Sequence, residues 1–253
     1  MSRNSRKLLS LAVAVAAAQA TTATAQQLEE VIVTAQKRVE SLQDAPLSVV
    51  AYSEDMLENQ GIQTLADLSL QAPSLQYYDF PTSTSNISLF LRGFGNTDSQ
   101  TLTIDNPVGM YIDGVYIART SGALLNVLDL ERVEILRGPQ GTLFGRNSSA
   151  GTISFITKRP GDEFQATVEA GAGDFGHWNA GITFDAPISE QLRDTATHDT
   201  ATTDGWVENT APNDVVAQPT EDIHQNEQQG WRLAVAIDPT ENFSVDYSYD
   251  WSE

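Results

Sequence analysis

Few residues in this chain have types and spacing suited to chemistry, and those few do not assemble a catalytic set. Its 253 residues include three histidines, His177, His198 and His224, and no cysteine. No two histidines have the i, i+4 spacing that puts a zinc pair on one helical face, and no thiolate is available to complete such a site. A metal is therefore expected only as part of a bound ligand, and no cofactor is expected. Gly171-Ala172-Gly173-Asp174-Phe175-Gly176 fits the dinucleotide pattern G-x-G-x-x-G. That pattern works by presenting a helix N-terminus to a pyrophosphate, whereas Trp178, Ala180, Ile182 and Phe184 alternate behind it as a strand. The Asp174-Phe175-Gly176 triplet lacks the lysine strand and catalytic loop that would give it a kinase role. A hairpin turn explains these glycines, and without a nucleophile, base and orienter set an enzyme is not expected.

What remains is charge placed around a glycine-rich turn. In LERVEILRGPQGTLFGRNSSAGTISFITKRP, residues 130 to 160, Val133 and Ile135 alternate with Arg132 and Glu134, which describes a short strand with charges on one face. Gly138-Pro139, Gly141 and Gly145 then leave room for one helical turn, from Pro139 to Leu143, before a second strand from Thr152 to Thr157.

The elements that must position this unit begin with an address. Arg3, Arg6 and Lys7 precede the apolar run Leu8 to Ala18 and the small residues Ala23-Thr24-Ala25, so residues 1–25 are expected to be a signal peptide. The run is shorter than the roughly 20 residues of a membrane-spanning helix. Glu30, Val31, Ile32, Val33, Thr34 and Ala35 then form an extended, β-branched stretch with no partner strand nearby. Such a stretch is either the first strand of the next domain or a strand that adds to another protein's sheet.

Further on, Ser48 to Tyr52 is expected to be a strand, with Ser53 as N-cap of a helix from Glu54 to Gln60 that Gly61 ends. Thr64 caps a second helix, with Asp67 at N3 as a weaker capping-box partner and Pro73 as its stop. Leu75 and Tyr77, then Ile87, Leu89 and Leu91, predict two strands around a loop from Asp79 to Asn86. Met110 to Tyr116 predicts a hairpin turning at Asp113-Gly114.

RVEILRGPQGTLFGRNSSAGTISFITKRP, with LRGFG (91–95) and VGMYIDGVYIAR (108–119) upstream, resembles the plug domain of TonB-dependent outer-membrane receptors over roughly residues 29 to 190. The resemblance implies an α+β plug, a small mixed sheet with short helices, lodged in a barrel of about 22 antiparallel strands. It implies that residues 26–37 hold a TonB box, with Glu30 to Ala35 gripped by the TonB energy-transducing protein. It implies that Arg92, Glu131, Arg132, Glu134 and Arg137 pair with the barrel wall. It further implies that plug loops face the ligand, making Tyr77, Tyr78, Phe80, Phe94 and Asp98 candidate contacts. No extra domain is seen between the leader and the box, so a signalling role is not expected.

After the plug, residues 38–160, the period changes to two. Alternation at Phe164 to Ala170, Trp178 to Phe184, Trp231 to Ile237 and Phe243 to Trp251 predicts four antiparallel strands with one apolar face, the start of a transmembrane β-barrel in residues 161–253. The resemblance implies a further membrane strand between Leu192 and Trp206, but that stretch offers only alanine and threonine on either face, so it and His198 are not counted with these four. A closed barrel of this size needs far more chain, so the sequence is expected to be a fragment.

Charge argues against nucleic acid. The formal net charge is -20, and from Gly161 onward nineteen Asp and Glu face only Arg193 and Arg232. The expected function is TonB-dependent transport of a scarce ligand, by default a ferric siderophore, across the outer membrane, with outer-membrane lipid as a further partner. The alternative is a secreted or periplasmic β-rich binding module, because soluble sandwiches alternate as well.

Overall fold

The computed structural model describes residues 32–34, 38, 40–80, 83–97, 105–118, 129–204, 226–240 and 242–252. The expected signal peptide, Glu30, Val31, Ala35 and Asp98 lie outside the described residues.

Strands β1 (Ile32–Val33) and β2 (Glu40–Ser41) pair antiparallel. They are followed by β3 (Val49–Ser53), helix α1 (Glu54–Asn59), helix α2 (Leu65–Gln71), β4 (Leu75–Phe80), β5 (Ser83–Leu91), β6 (Phe94–Gly95), β7 (Val108–Ile112) and β8 (Val115–Ile117). The unit around the glycine-rich turn is β9 (Leu130–Arg137), α3 (Gly141–Phe144) and β10 (Gly151–Thr157). The main plug sheet has the order β3-β9-β10-β7-β8, with β10 parallel to β7 and every other pair antiparallel.

β9 is an interior strand of this sheet, and both of its faces are covered. Val133 and Ile135 join Ile153, Phe155, Leu57, Leu65 and Leu68 in the main core. Glu134 and Leu136, one step out of phase, point to the opposite face, where Leu136 meets Val33 and Ala51 in a smaller cluster. Both helices are set by their ends. Ser53 occupies the N-cap of α1 without a side-chain cap bond, and the helix closes where Ile62 N–H donates to the Leu57 carbonyl and Gly61 N–H to the Glu58 carbonyl, with Gly61 at φ +63°. In α2 the capping box is complete, the Thr64 hydroxyl accepting from Asp67 N–H and the Asp67 carboxylate from Thr64 N–H.

Strands β4, β5 and β6 form a separate three-stranded sheet. The expected loop from Asp79 to Asn86 is corrected here, since Asp79 and Phe80 continue β4 and Ser83 to Asn86 begin β5, with a register shift between Asp79 and Phe80. Ser, Thr and Asn look like loop residues by composition, yet an extended strand is a backbone conformation that these side chains do not forbid.

Gly151 sits at φ +146°, and a Cβ there would overlap the Leu136 carbonyl oxygen and lie 2.9 Å from Leu91 Cδ1. Both neighbours belong to the core, so neither can yield cheaply. Gly151→Ala is expected to lower plug stability by about 3 kcal/mol. A lower urea midpoint by tyrosine fluorescence checks this, since all four tryptophans lie beyond residue 160.

The remaining strands, β11 (Gln165–Ala172), β12 (Trp178–Ser189), β13 (Leu192–Thr203), β14 (Asn226–Thr240) and β15 (Phe243–Ser252), form one antiparallel meander in sequence order. There are thus five strands rather than four. β13 runs through the stretch that composition left unassigned, pairing residue by residue with β12 and β14. Threonine is β-branched and suits a pleated strand, and alanine and threonine leave room on the crowded inner face, where Thr195, Thr197 and Ala201 are buried.

Register sorts the two faces of this sheet. Trp231 pairs with Trp251, Leu233 with Tyr249, Val235 with Tyr247 and Ile237 with Val245, giving an exposed apolar face. Arg232, Ala234 and Ala236 lie on the other face and are buried. Apolar residues outside and polar or small ones inside is the order of a membrane barrel, the reverse of a soluble sheet packed on its own core.

Candidate functional site

Two polar constructions stand out, one at each end of the plug sequence. The first holds Ile32 to Thr34, within the stretch expected to be the box. Val33 is 0% exposed against Ala51 and Leu136, and Ile32 and Val33 pair with Ser41 and Glu40. The next residue, Thr34, donates its backbone N–H to Glu134 Oε1 at 2.7 Å and its hydroxyl to the same oxygen at 3.1 Å. Arg132 Nε donates to that oxygen too, at 2.9 Å, while its Nη1 pairs with Glu131. The box strand thus covers the outer face of β9.

The second construction joins the plug to the strand sheet. The β7–β8 hairpin turns through Asp113 at φ +47° and Gly114 at φ +82°, the two positive values of a type I′ turn. Asp113 accepts from Thr157 N–H at 2.9 Å and Thr157 Oγ1 at 2.8 Å, which ties the turn to the end of β10. Arg232, 4% exposed, reaches in from β14. Its Nη2 donates to Asp113 at 3.0 Å and to Thr157 Oγ1 at 2.8 Å, and its Nη1 to Asp250 on β15. Nearby, Arg159 donates to Asp238 at 2.6 Å and Asp246 at 2.7 Å, and Arg193 bridges Asp238 and Asp162. Burial pulls the adjacent Lys158 ammonium down, but hydrogen bonds to Asp129 and Glu54 outweigh it and leave the group more basic than an ordinary lysine.

The residues expected to pair with the barrel wall make their described bonds with one another, with Ser48 and with Thr34. Arg92, at φ +54°, reaches Ser48 Oγ at 3.2 Å; Arg137 donates its backbone N–H to the Ser48 carbonyl, and its buried Nε has no partner. Glu131, Arg132 and Glu134 form the cluster at the box. The bonds these five make among the described residues stay within the plug and box. The bridging residues left a signal in the sequence: Arg193 and Arg232 are the only basic residues in an acidic stretch, and Asp113 already stood out as a turn residue.

Of the candidate ligand contacts, Tyr77 and Tyr78 lie on β4 and Phe94 on β6 of the three-stranded sheet, with Phe80 ending β4. Tyr77 is half-buried on the main core, Tyr78 is exposed and meets Phe90 edge-on at 5.7 Å, and Phe94 is exposed. His198, set aside in the sequence, stacks on Trp231 at 3.9 Å on the exposed face of the strand sheet. Among the described residues no three metal-ligating side chains converge.

A mixed-sheet plug tied by charged side chains to strands with an apolar outer face is the arrangement of the plug-and-barrel class of outer-membrane receptors. Residues 41–152 match the TonB-dependent receptor plug domain family, so this part of the chain is a plug domain of that kind. It is similar to a vitamin B12 transporter of Vibrio vulnificus, 28% identical over 149 residues, covering 57% of this chain and 23% of that protein. It is also similar to a ferripyoverdine receptor of Pseudomonas aeruginosa, 27% identical over 165 residues, 63% of this chain and 19% of that one. In fold it matches the crystal structure of the ferric yersiniabactin uptake receptor of Yersinia pestis, with TM-score 0.70 at 21% identity, covering 81% of this chain and 31% of that one. The ferripyoverdine receptor of the outer membrane of Pseudomonas aeruginosa follows with TM-score 0.68 at 18% identity, covering 88% of this chain and 27% of that one. The chain therefore spans about a fifth to a quarter of the length of these curated relatives. The relatives are transporters and receptors, not enzymes.

Proposed function

We propose that the protein to which this chain belongs imports a scarce ligand across the outer membrane, driven by TonB, and that the ligand is a ferric siderophore. The observation that carries this is the joining of a TonB-dependent receptor plug, through the buried Arg232, to strands whose outer face is apolar. Relatives named as ferripyoverdine and catecholate siderophore receptors support an iron chelate, whereas the vitamin B12 transporter keeps cobalamin as the competing cargo. The plug blocks passage until TonB takes hold of residues 30–35 and pulls. TonB would add a strand to this segment, backbone to backbone.

Two experiments test the proposal. Deletion of the intact gene is expected to abolish growth on ferric siderophores under iron limitation, and a defect confined to cobalamin would reassign the cargo. A peptide of residues 29–35 is expected to bind the TonB C-terminal domain in a calorimetric titration. Val31→Pro removes a backbone donor and is expected to weaken binding about tenfold. Equal affinity for both peptides would exclude strand addition.

A further inference from the structure

We infer that Glu134 is a reversible latch for the box, a carboxylate on an interior strand of the plug sheet that holds Thr34 and is built to survive letting it go. Glu134 is 1% exposed, yet it lies on the face of β9 turned away from the main core. A buried carboxylate must be matched by donors. Here a single oxygen takes three, two of them from Thr34, a residue one hundred positions earlier in the chain. The third donor, Arg132, belongs to the same strand as Glu134 and does not move with the box.

Departure of Thr34 therefore leaves the charge with its counter-ion in place, and Glu131 keeps Arg132 positioned from its other side. The neighbours opposite Glu134 in the sheet are Ala51 on β3 and Ser154 on β10, small residues that leave the carboxylate space to turn toward Arg132 or toward water entering behind the box. Val33 works beside this bond, its side chain closing the cluster around Leu136 and Ala51. The latch thus has an apolar half that excludes water and a charged half that sets the register. Because the β1–β2 pairing already uses an edge of Ile32 and Val33, a partner that needs both edges must first open it.

This inference rests on residues 30–35 being the TonB grip, but its test needs no TonB. The chain has no cysteine, so Val33→Cys gives one thiol whose labelling by a membrane-impermeant maleimide reads the latch in the detergent-solubilised full chain. That thiol is expected to label slowly, and about tenfold faster when combined with Glu134→Gln, which keeps the shape but removes the charge that Thr34 binds. Thr34→Val, which deletes only the hydroxyl bond, is expected to give a smaller acceleration. Ile153→Cys, in the main core, serves as the control and is expected to label at one rate with or without Glu134→Gln. Equal labelling at position 33 in both backgrounds overturns the latch. So does a matching acceleration at position 153, which would make Glu134 a general support of the fold. The peptide titration above reads the grip without the latch, so the two readings can fail separately.

Discussion

Residues 29–160 alone are expected to run as a soluble monomer in size-exclusion chromatography, while residues 29–253 in the same detergent-free buffer are expected to aggregate. The plug's main core is drawn entirely from residues between Tyr52 and Phe155, so cutting after residue 160 removes none of it. Starting at residue 29 rather than 38 matters, because Val33 and Thr34 cover the outer face of β9. The strand sheet, by contrast, turns Trp178, Phe184, Trp231, Leu233, Val245, Tyr247, Tyr249 and Trp251 outward. Covering each such side chain is worth about 1.5–3 kcal/mol, and together they favour any apolar cover, whether lipid, detergent or another chain. The outer edges of β11 and β15 add unpaired backbone groups in the described sheet. Detergent is expected to disperse the aggregate and shift tryptophan emission to the blue, since every tryptophan belongs to the strand part. A monodisperse 29–253 without detergent would contradict the membrane assignment of the outer face.

The second large effect is expected from Arg232→Met, which keeps the length and apolar stem of the side chain but deletes its charge. Asp113 and Asp250 then face each other across the plug boundary with no cation between them. Removing one partner of a buried ion pair costs about 3–5 kcal/mol, far more than loss of an exposed pair at about 0–1 kcal/mol. The Thr157 amide reports this directly, because it donates to Asp113 and its hydroxyl accepts from Arg232. Its hydrogen exchange in the detergent-solubilised chain is expected to quicken on the order of 100-fold. Adding Asp113→Asn to Arg232→Met is expected to restore part of the protection, as the uncompensated carboxylate is gone. The more exposed pair of Lys158 with Glu54 gives the contrast, and Lys158→Met is expected to change that exchange severalfold at most. Unchanged exchange in Arg232→Met would mean that Arg232 does not hold the plug to the strands.

Legibility in the sequence followed the range of the physics. The Asp113-Gly114 turn, the Thr64 and Asp67 capping box and the Gly61 helix end are each made within a few residues, and each stands where local chemistry puts it. Alternation at Trp231 to Ile237 and Phe243 to Trp251 likewise needs only the pleat, and it marked the outer face correctly. Where a segment draws its order from its neighbours, composition was misleading. β13 has no apolar face, and it is a full strand because β12 and β14 offer it two complete ladders.

By itself, then, the sequence determined the period, the turns and the caps of this protein, along with the charge of its parts, because these depend on neighbours along the chain. Only the tertiary structure decided which charges meet. Glu134 and Arg132 were recognisable as a charged face, but that the face receives Thr34, and that Arg232 bridges plug and strands, depends on contacts between residues 100 and 119 positions apart. A charge signals in sequence only that it needs a partner, and the packing of β9 beneath the box and of β14 beside the Asp113 turn selects that partner.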